Sequence, residues 1–588
     1  MIVRTFNANM ESLANELLLD VFGYFSSIDL LRAFNNLNSR FNQLLRIHFQ
    51  SFLLDFRSVS LTDFNWICRE YLPHRTQHVK SLILSNDDDT PQAIDLFFQH
   101  IPTLHSFQSL QSLKIIDLCS NELLIKMMNE CQYLPNLTHL TLAGCYIEFE
   151  QIQIQQFIDH IWSLSNLIYC YLNVNFGEWN MFMPTVLSRS LKYLFIWGVE
   201  HNQQEIDAIF RCTPALEQFS ILFNNDENSN DVQPPISMMK KLILDLSIID
   251  ENILIGFLRR TPNLSQLLLD ISSSTIDERI DGIFNGYQWE TIIRNSLPHL
   301  RIFRFRMEFQ LLRVNDVNQQ IDDLFKSFQT SYWLEEHQWF VGCHWNSRRF
   351  FFYTLPYAFR DCHFDYPMEF RSTCSDDCLN RAFHHVKQLQ YANSSTMNAS
   401  VSCPLRFPKI NDLSLDLPID DSLRSIVPNF NQITSLHVTT HKHPIASSVQ
   451  CLIKEIPHFH FLKLVSQELC ISMEDLRNIS VRRLVLYHHY FTQEEICTLV
   501  GIQCEFLDIR IQTRKSIFDL IKNLINLRTL TVICKDDRFF KLIENDFLLS
   551  SFQTTDDEFL IWLKTHLPST YLISRDSSSR SYVHIWIR

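Results

Sequence analysis

Six thiol and imidazole side chains, Cys362, His363, Cys374, Cys378, His384 and His385, crowd into the single stretch "CHFDYPMEFRSTCSDDCLNRAFHH". Thiolate and imidazole are the ordinary ligands of structural zinc, which takes four of them in tetrahedral array and commonly draws cysteines in closely spaced pairs. This stretch has no C-x-x-C pair and its spacing is irregular. The expectation is therefore loop and core residues, with no metal and no other cofactor. Cys343 and His344 are neighbours in sequence, whereas an activated thiol needs its base delivered from elsewhere in the fold. The chain has nine glycines and none of the patterns G-x-x-x-x-G-K-[ST], G-x-G-x-x-G or G-x-S-x-G, so phosphate cradles and nucleophile elbows are missing in recognisable form. The chemistry to expect is recognition by a non-enzyme.

Composition narrows what is recognised. The 588 residues are 46% hydrophobic and 20% charged, which suits sizeable cores, and the formal net charge of -14 gives no general attraction to phosphate backbones or anionic membranes. Neither nucleic acid nor membrane is expected as a partner. The opening "MIVRTFNANM" lacks an apolar run of secretory length, and sixteen scattered cysteines read as reduced, buried thiols. The expected location is cytoplasmic and/or nuclear.

The elements that must position any recognition surface are repeated. "LPNLTHLTLAGC" returns in altered form as "LSNLIYCYLNVN", "TPALEQFSILFN" and "TPNLSQLLLDIS", and later as "FPKINDLSLDLP" and "LINLRTLTVI". The first apolar positions Leu137, Leu167, Leu191, Leu216, Met239, Leu264 and Leu300 are 30, 24, 25, 23, 25 and 36 residues apart; Ile410, Ile433, Phe459, Val481, Cys504 and Leu527 follow at 23, 26, 22, 23 and 23. The L-x-x-L-x-L ending alternates with period two, as a half-buried strand does, and helical stretches such as "IDENILIGFLRRTP" lie between. One strand and one helix cannot close a core, but stacked units can. These phrases resemble leucine-rich repeats, with Cys145, Asn175 and Asn224 at the family's cysteine or asparagine position.

Residues 13 to 45, "LANELLLDVFGYFSSIDLLRAFNNLNSRFNQLL", read as three short helices. Asn15, Ser26 and Asn38 are candidate caps, Ser26 and Asp29 have capping-box spacing, and Phe41, Leu44, Leu45, His48 and Phe49 share one side of the third helix. About forty residues are too few to be stable on their own core, so the surplus apolar side chains should dock on something else. The stretch resembles the F-box in Leu13, Glu16, Leu17, Leu18, Val21, Phe22, Tyr24, Phe25, Asp29, Leu30 and Phe41, with Ala14 where the family usually has proline. The resemblance implies a Skp-type adaptor and a cullin scaffold as partners, and the role of substrate receptor in a ubiquitin ligase. It places the adaptor contact on Leu13, Leu17, Leu18, Val21, Phe22, Phe25, Leu30, Leu31, Phe34 and Phe41. The alternative is a scaffolding repeat protein whose helices are only an N-terminal cap.

A client protein would be held by strand residues that point away from the core. These include His139 and Thr141, then Tyr169, Tyr171, Tyr193, Phe195 and Trp197 as one aromatic patch, then Arg304 and Arg306, and later Lys463, Arg483, Tyr487 and Arg510. Tyrosine, tryptophan and arginine dominate interface energetics.

The expected fold class is α/β: a three-helix F-box at 10–50, a leucine-rich-repeat-like solenoid with a parallel sheet at 51–315 and again at 388–550, an aromatic-rich insertion at 316–387, and a cap at 551–588. Within the insertion, "HQWFVGCHW" and "RRFFFYTLPYAF" read as two strands of a hairpin joined by "NSR".

Overall fold

In a computed structural model the described residues are 10–48, 52–177, 182–223, 235–246, 251–272, 276–277, 285–312, 316–393, 404–417, 422–440, 446–456, 460–466, 481–537, 557–576 and 581–587. They fall into two compact units, one of residues 1–180 with 184–191, the other of 192–587 with 181–183.

The first unit opens with α1 (Asn15–Phe22), α2 (Ser27–Phe34) and α3 (Ser39–His48). Ser26 caps α2 by accepting from the Asp29 N–H at 3.1 Å, and Asn38 Oδ1 accepts from the Phe41 N–H at 2.9 Å at the start of α3. The expected Asn15 cap is corrected: Ala14 holds the N-cap position and Asn15 is the first helical residue, its Oδ1 accepting from Arg40 Nε at 2.8 Å. Phe22, Phe34 and Phe41 form the module's centre, with successive ring centroids 5.0 Å apart. Parallel strands β1 (Phe52–Asp55), β2 (Val79–Ser85), β3 (Ser112–Ile116), β4 (His139–Tyr146) and β5 (Tyr169–Asn175) follow, each paired with the next. Leu140 and Leu142 lie against Cys170 and Leu172, all buried; His139 and Thr141 stand opposite Tyr169 and Tyr171 on the other face. Helices such as Asn121–Cys131 and Gln151–Trp162 return the chain, burying Leu124, Met127, Ile154 and Ile158. α2 packs against β1.

The second unit repeats the scheme in β6 (Tyr193–His201), β7 (Gln218–Phe223), β8 (Lys241–Leu246), β9 (Gln266–Ser272) and β11 (Ile302–Leu312), all parallel, with the two-residue β10 (Ile276–Asp277) beside β11. β12 (Phe340–Trp345) and β13 (Arg349–Leu355) are the expected antiparallel hairpin, laid on β11 through β13, and β15 (Glu369–Ser372) pairs with β12. The two strands do not alternate in exposure: from Val341 to Trp345 and from Phe350 to Leu355 every residue is buried. A second sheet starts at β14 (Asp361–Tyr366) and runs in parallel through β16 (Gln388–Asn393), β17 (Asp412–Asp416), β18 (Ser435–Thr439), β19 (Phe461–Val465), β20 (Arg483–Phe491), β21 (Phe506–Ile511) and β22 (Thr529–Cys534). β23 (Leu572–Arg575) and β24 (Tyr582–Trp586) close its edge antiparallel, covering the end of the array.

The boundary of the insertion is corrected by these pairings. Residues 361–366 already carry the first parallel strand of the second sheet, so the second series of repeats begins within 316–387 rather than at 388. The sequence hides this because "CHFDY" keeps the inward alternation, Cys362 and Phe364, without leucine.

Candidate partner-binding faces

The ten residues expected to meet an adaptor divide into two groups. Leu18, Phe22, Leu30, Leu31, Phe34 and Phe41 are buried, six of the ten, and so hold the three-helix module together rather than facing a partner. The assignment of those six to a contact surface is therefore a correction; in a module this small the same apolar stripe that marks the helices is consumed as its core. Leu13 and Val21 are half-buried, and Leu17 and Phe25 are 52% and 49% exposed. Tyr24, at 89% exposed, joins them; Leu37 is exposed in the turn between α2 and α3, and Ile47 on α3. The signal for Tyr24 was its place among the residues that match the F-box pattern, in the turn that follows α1 and three residues on from Val21. Phe49 lies outside the described residues.

The repeat faces are built by strand alternation. In the first unit the rings of His139 and Tyr169 stack 5.5 Å apart, and burial pushes the Tyr169 phenol up from its ordinary pKa. Tyr171, half-buried, follows two residues on along β5. In the second unit Tyr193, Phe195 and Trp197 lie on the outward face of β6, with Tyr193 opposite Gln218 and Phe195 opposite Ser220. Tyr169 and Tyr171 thus belong to one unit, and Tyr193, Phe195 and Trp197 to the other. Asn224, expected in the asparagine position, lies outside the described residues.

Arg304 and Arg306 have different fates. Arg304 Nη1 donates to the Phe303 carbonyl at 3.1 Å, and burial lowers its guanidinium pKa. Arg306 is locked: Nε donates to Asp270 Oδ1 at 2.8 Å, Nη2 pairs with Asp270 Oδ2, and Nη1 reaches Asp361 Oδ2 at 2.6 Å and the Tyr357 hydroxyl at 3.3 Å. Its Cζ lies 4.5 Å from the centre of the Phe359 ring. With both carboxylates already bound, Arg306 is a tie between β9, β11 and β14 and not a client contact, which corrects the sequence expectation. Asp245, in register with Asp270, is pushed up to about 6, first by burial and then by Asp270.

The cysteine and histidine stretch does not assemble. Among the described residues no group of three or more His, Cys, Asp or Glu side chains could hold a metal ion. Cys362 is buried, and burial raises its thiol pKa. Cys374 is raised to about 12, by burial first and then by Cys378 beside it. His344 is fully enclosed, its Nδ1 3.0 Å from the Tyr353 hydroxyl and its pKa lowered to about 3 by burial, so it serves the hairpin's core.

Strand–helix units in parallel register, each contributing leucine-type side chains to one core, define a leucine-rich-repeat-like solenoid. No protein-family model matches the chain, and no curated protein matches it. Similar solved structures include an internalin (InlF) from Listeria monocytogenes, with 10% identity, 76% of this chain and 86% of that one covered, and a TM-score of 0.18. Another is a leucine-rich-repeat protein from Leptospira interrogans, with 12% identity, 78% and 98% covered, and a TM-score of 0.21. Among the described residues no helix is long and apolar enough to cross a membrane.

Proposed function

We propose that the chain is the substrate-recognition subunit of a Skp-cullin-F-box type ubiquitin ligase, docking an adaptor on α1 and holding a client protein on its repeats. It positions and does not react. The observation that carries the reading is the exposed apolar side of α1 and the turn after it, Leu17, Tyr24 and Phe25 with the half-buried Val21, on a module whose other large apolar residues are mostly packed inside. An apolar cluster of that kind on a small helical module invites a partner. The second reading, a scaffolding repeat protein capped by its helices, is favoured by the packing of α2 on β1 and the 3.5 Å Arg32–Asp63 pair.

Co-purification separates them. Leu17→Glu with Phe25→Glu should lower capture of a Skp-type adaptor at least about tenfold, as loss of an interface anchor does, while the unfolding transition moves by no more than about 0.5 kcal/mol because both side chains are exposed. Stoichiometric capture by the unaltered protein that survives the double change would remove α1 as the docking face. No capture under mild conditions would leave the cap reading. A client, the cullin and a cytoplasmic or nuclear setting belong to the same proposal.

A further inference from the structure

The outward face of β19 to β21 in the second unit carries an excess of positive charge in a chain of net charge -14. Alternation sends Leu462, Leu464, Leu484, Leu486, Leu507 and Ile509 into the core. It leaves Lys463, Arg483, Tyr487, Asp508 and Arg510 on the opposite face. Three cations therefore stand beside one carboxylate, and that carboxylate is engaged: the Tyr487 hydroxyl donates to Asp508 Oδ2 at 2.7 Å. Lys463 Nζ lies 5.2 Å and Arg510 Cζ 5.1 Å from the centre of the Tyr487 ring, so the ring is held between two cations from the strands on either side of it. Neither cation has a carboxylate in ion-pair distance among the described residues, and Arg510 Nε is buried without a hydrogen-bond partner there. Arg483 stands 5.7 Å over the Phe461 ring, extending the face.

We infer that this face binds an acidic segment of a partner protein, with one carboxylate on Lys463 and a second on Arg510. The inference rests on the partner-holding part of the proposed function and not on the adaptor. Half-buried cations have surrendered part of their hydration and gain most from a charge-assisted hydrogen bond. The strands that carry them are two spacings apart, about 10 Å, so each anionic group meets a single cation. A monoanionic carboxylate is balanced by that arrangement, whereas a phosphate dianion would be left under-compensated. In a peptide of polyproline II conformation three residues rise about 9 Å and bring the side chain back to the same side, which sets the spacing of the acids. The Tyr487 ring between them offers an apolar floor for the intervening chain.

The test uses the full chain and a labelled Gly/Ser peptide with two glutamates three residues apart, followed by fluorescence anisotropy at low salt. Binding should occur, should weaken as salt rises, and should fall at least about tenfold in Lys463→Gln with Arg510→Gln. Moving the glutamates to adjacent positions, a change that leaves the protein untouched, should weaken it as well. Absence of binding by the unaltered chain overturns the inference. So does binding indifferent to both the substitutions and the spacing, or tighter binding of a phosphoserine peptide or of a single-stranded oligonucleotide. Adaptor capture measured on the same variants should equal that of the unaltered chain, so failure of this face and failure of the α1 face are told apart.

Discussion

Replacing Trp333 by alanine is expected to destabilise the second unit by about 3–5 kcal/mol, the cost of removing a buried aromatic side chain. Trp333 has no exposed surface, and its ring centroid lies 4.7 Å from that of Phe328, 5.5 Å from Tyr332, 6.0 Å from Trp339 and 6.2 Å from Phe303. Phe303 belongs to β11, the last parallel strand before the hairpin, whereas Phe328, Tyr332 and Trp339 come from the segment expected to be an insertion. Truncation therefore opens a void between a repeat and what covers it. It also leaves the Gly286 carbonyl without the indole N–H that donates to it at 3.2 Å. Gly286 is itself held, its N–H donating to Ser327 Oγ at 2.7 Å, and a Cβ at this position would fall on the Ser327 backbone carbonyl. Gly286→Ala should thus destabilise the same unit, by about 1–3 kcal/mol as overpacking does. Denaturant unfolding of both variants measures this. A Trp333→Ala loss below about 1 kcal/mol would mean that residues 328–339 are an appendage and not part of the repeat core.

Much of the architecture is legible because repeats state it many times. Leu137, Leu167, Leu264, Ile410 and Leu527 each announce a strand two residues on, and strands begin at His139, Tyr169, Gln266, Asp412 and Thr529. The period of two then fixes which side chains face outward, which is why Lys463, Arg483, Tyr487 and Arg510 were legible as a face. What is not legible is anything that depends on a single long-range meeting. Asp361 reaches Arg306 across 55 positions in sequence, and Asp270 across 36; no local pattern distinguishes an arginine destined for two carboxylates from one left for a client. The six buried F-box-like positions fail for a related reason. Periodicity identifies an apolar side of a helix but not whether the module's own core or a partner consumes it, and in α1 to α3 the core takes Phe22, Phe34 and Phe41 first.

The Arg306 tie gives the second large effect, and it depends on pH. Its side chain is 18% exposed, and Arg306→Met removes a cation bound to both Asp270 and Asp361 while keeping most of the packing on Phe359. Breaking a fully buried pair costs about 3–5 kcal/mol, and exposure of Asp361 at 42% reduces this, so about 2–3 kcal/mol is expected at pH 7. Asp245 is the informative neighbour. Burial first, then Asp270, with Asp361 and Glu200 adding and Arg306 opposing, hold its folded pKa at about 6 against an ordinary 3.8. A carboxyl whose pKa is raised on folding binds its proton more tightly in the native state, so it costs no stability below the unfolded value, and the cost grows as pH rises from the unfolded to the folded value and is complete above it. Asp245→Asn should consequently stabilise the unit at pH 7, and the gain should shrink to nothing as pH falls from about 6 to 4. Because Asp245 and Arg306 act on one another, the two substitutions should not add: in the Arg306→Met background, where the carboxylates have lost their cation, Asp245→Asn should recover more at pH 7 than it gains in the unaltered protein. Equal gains in the two backgrounds would show that Asp245 and Arg306 do not share a field, and a gain independent of pH would show that Asp245 is already ionised throughout the range.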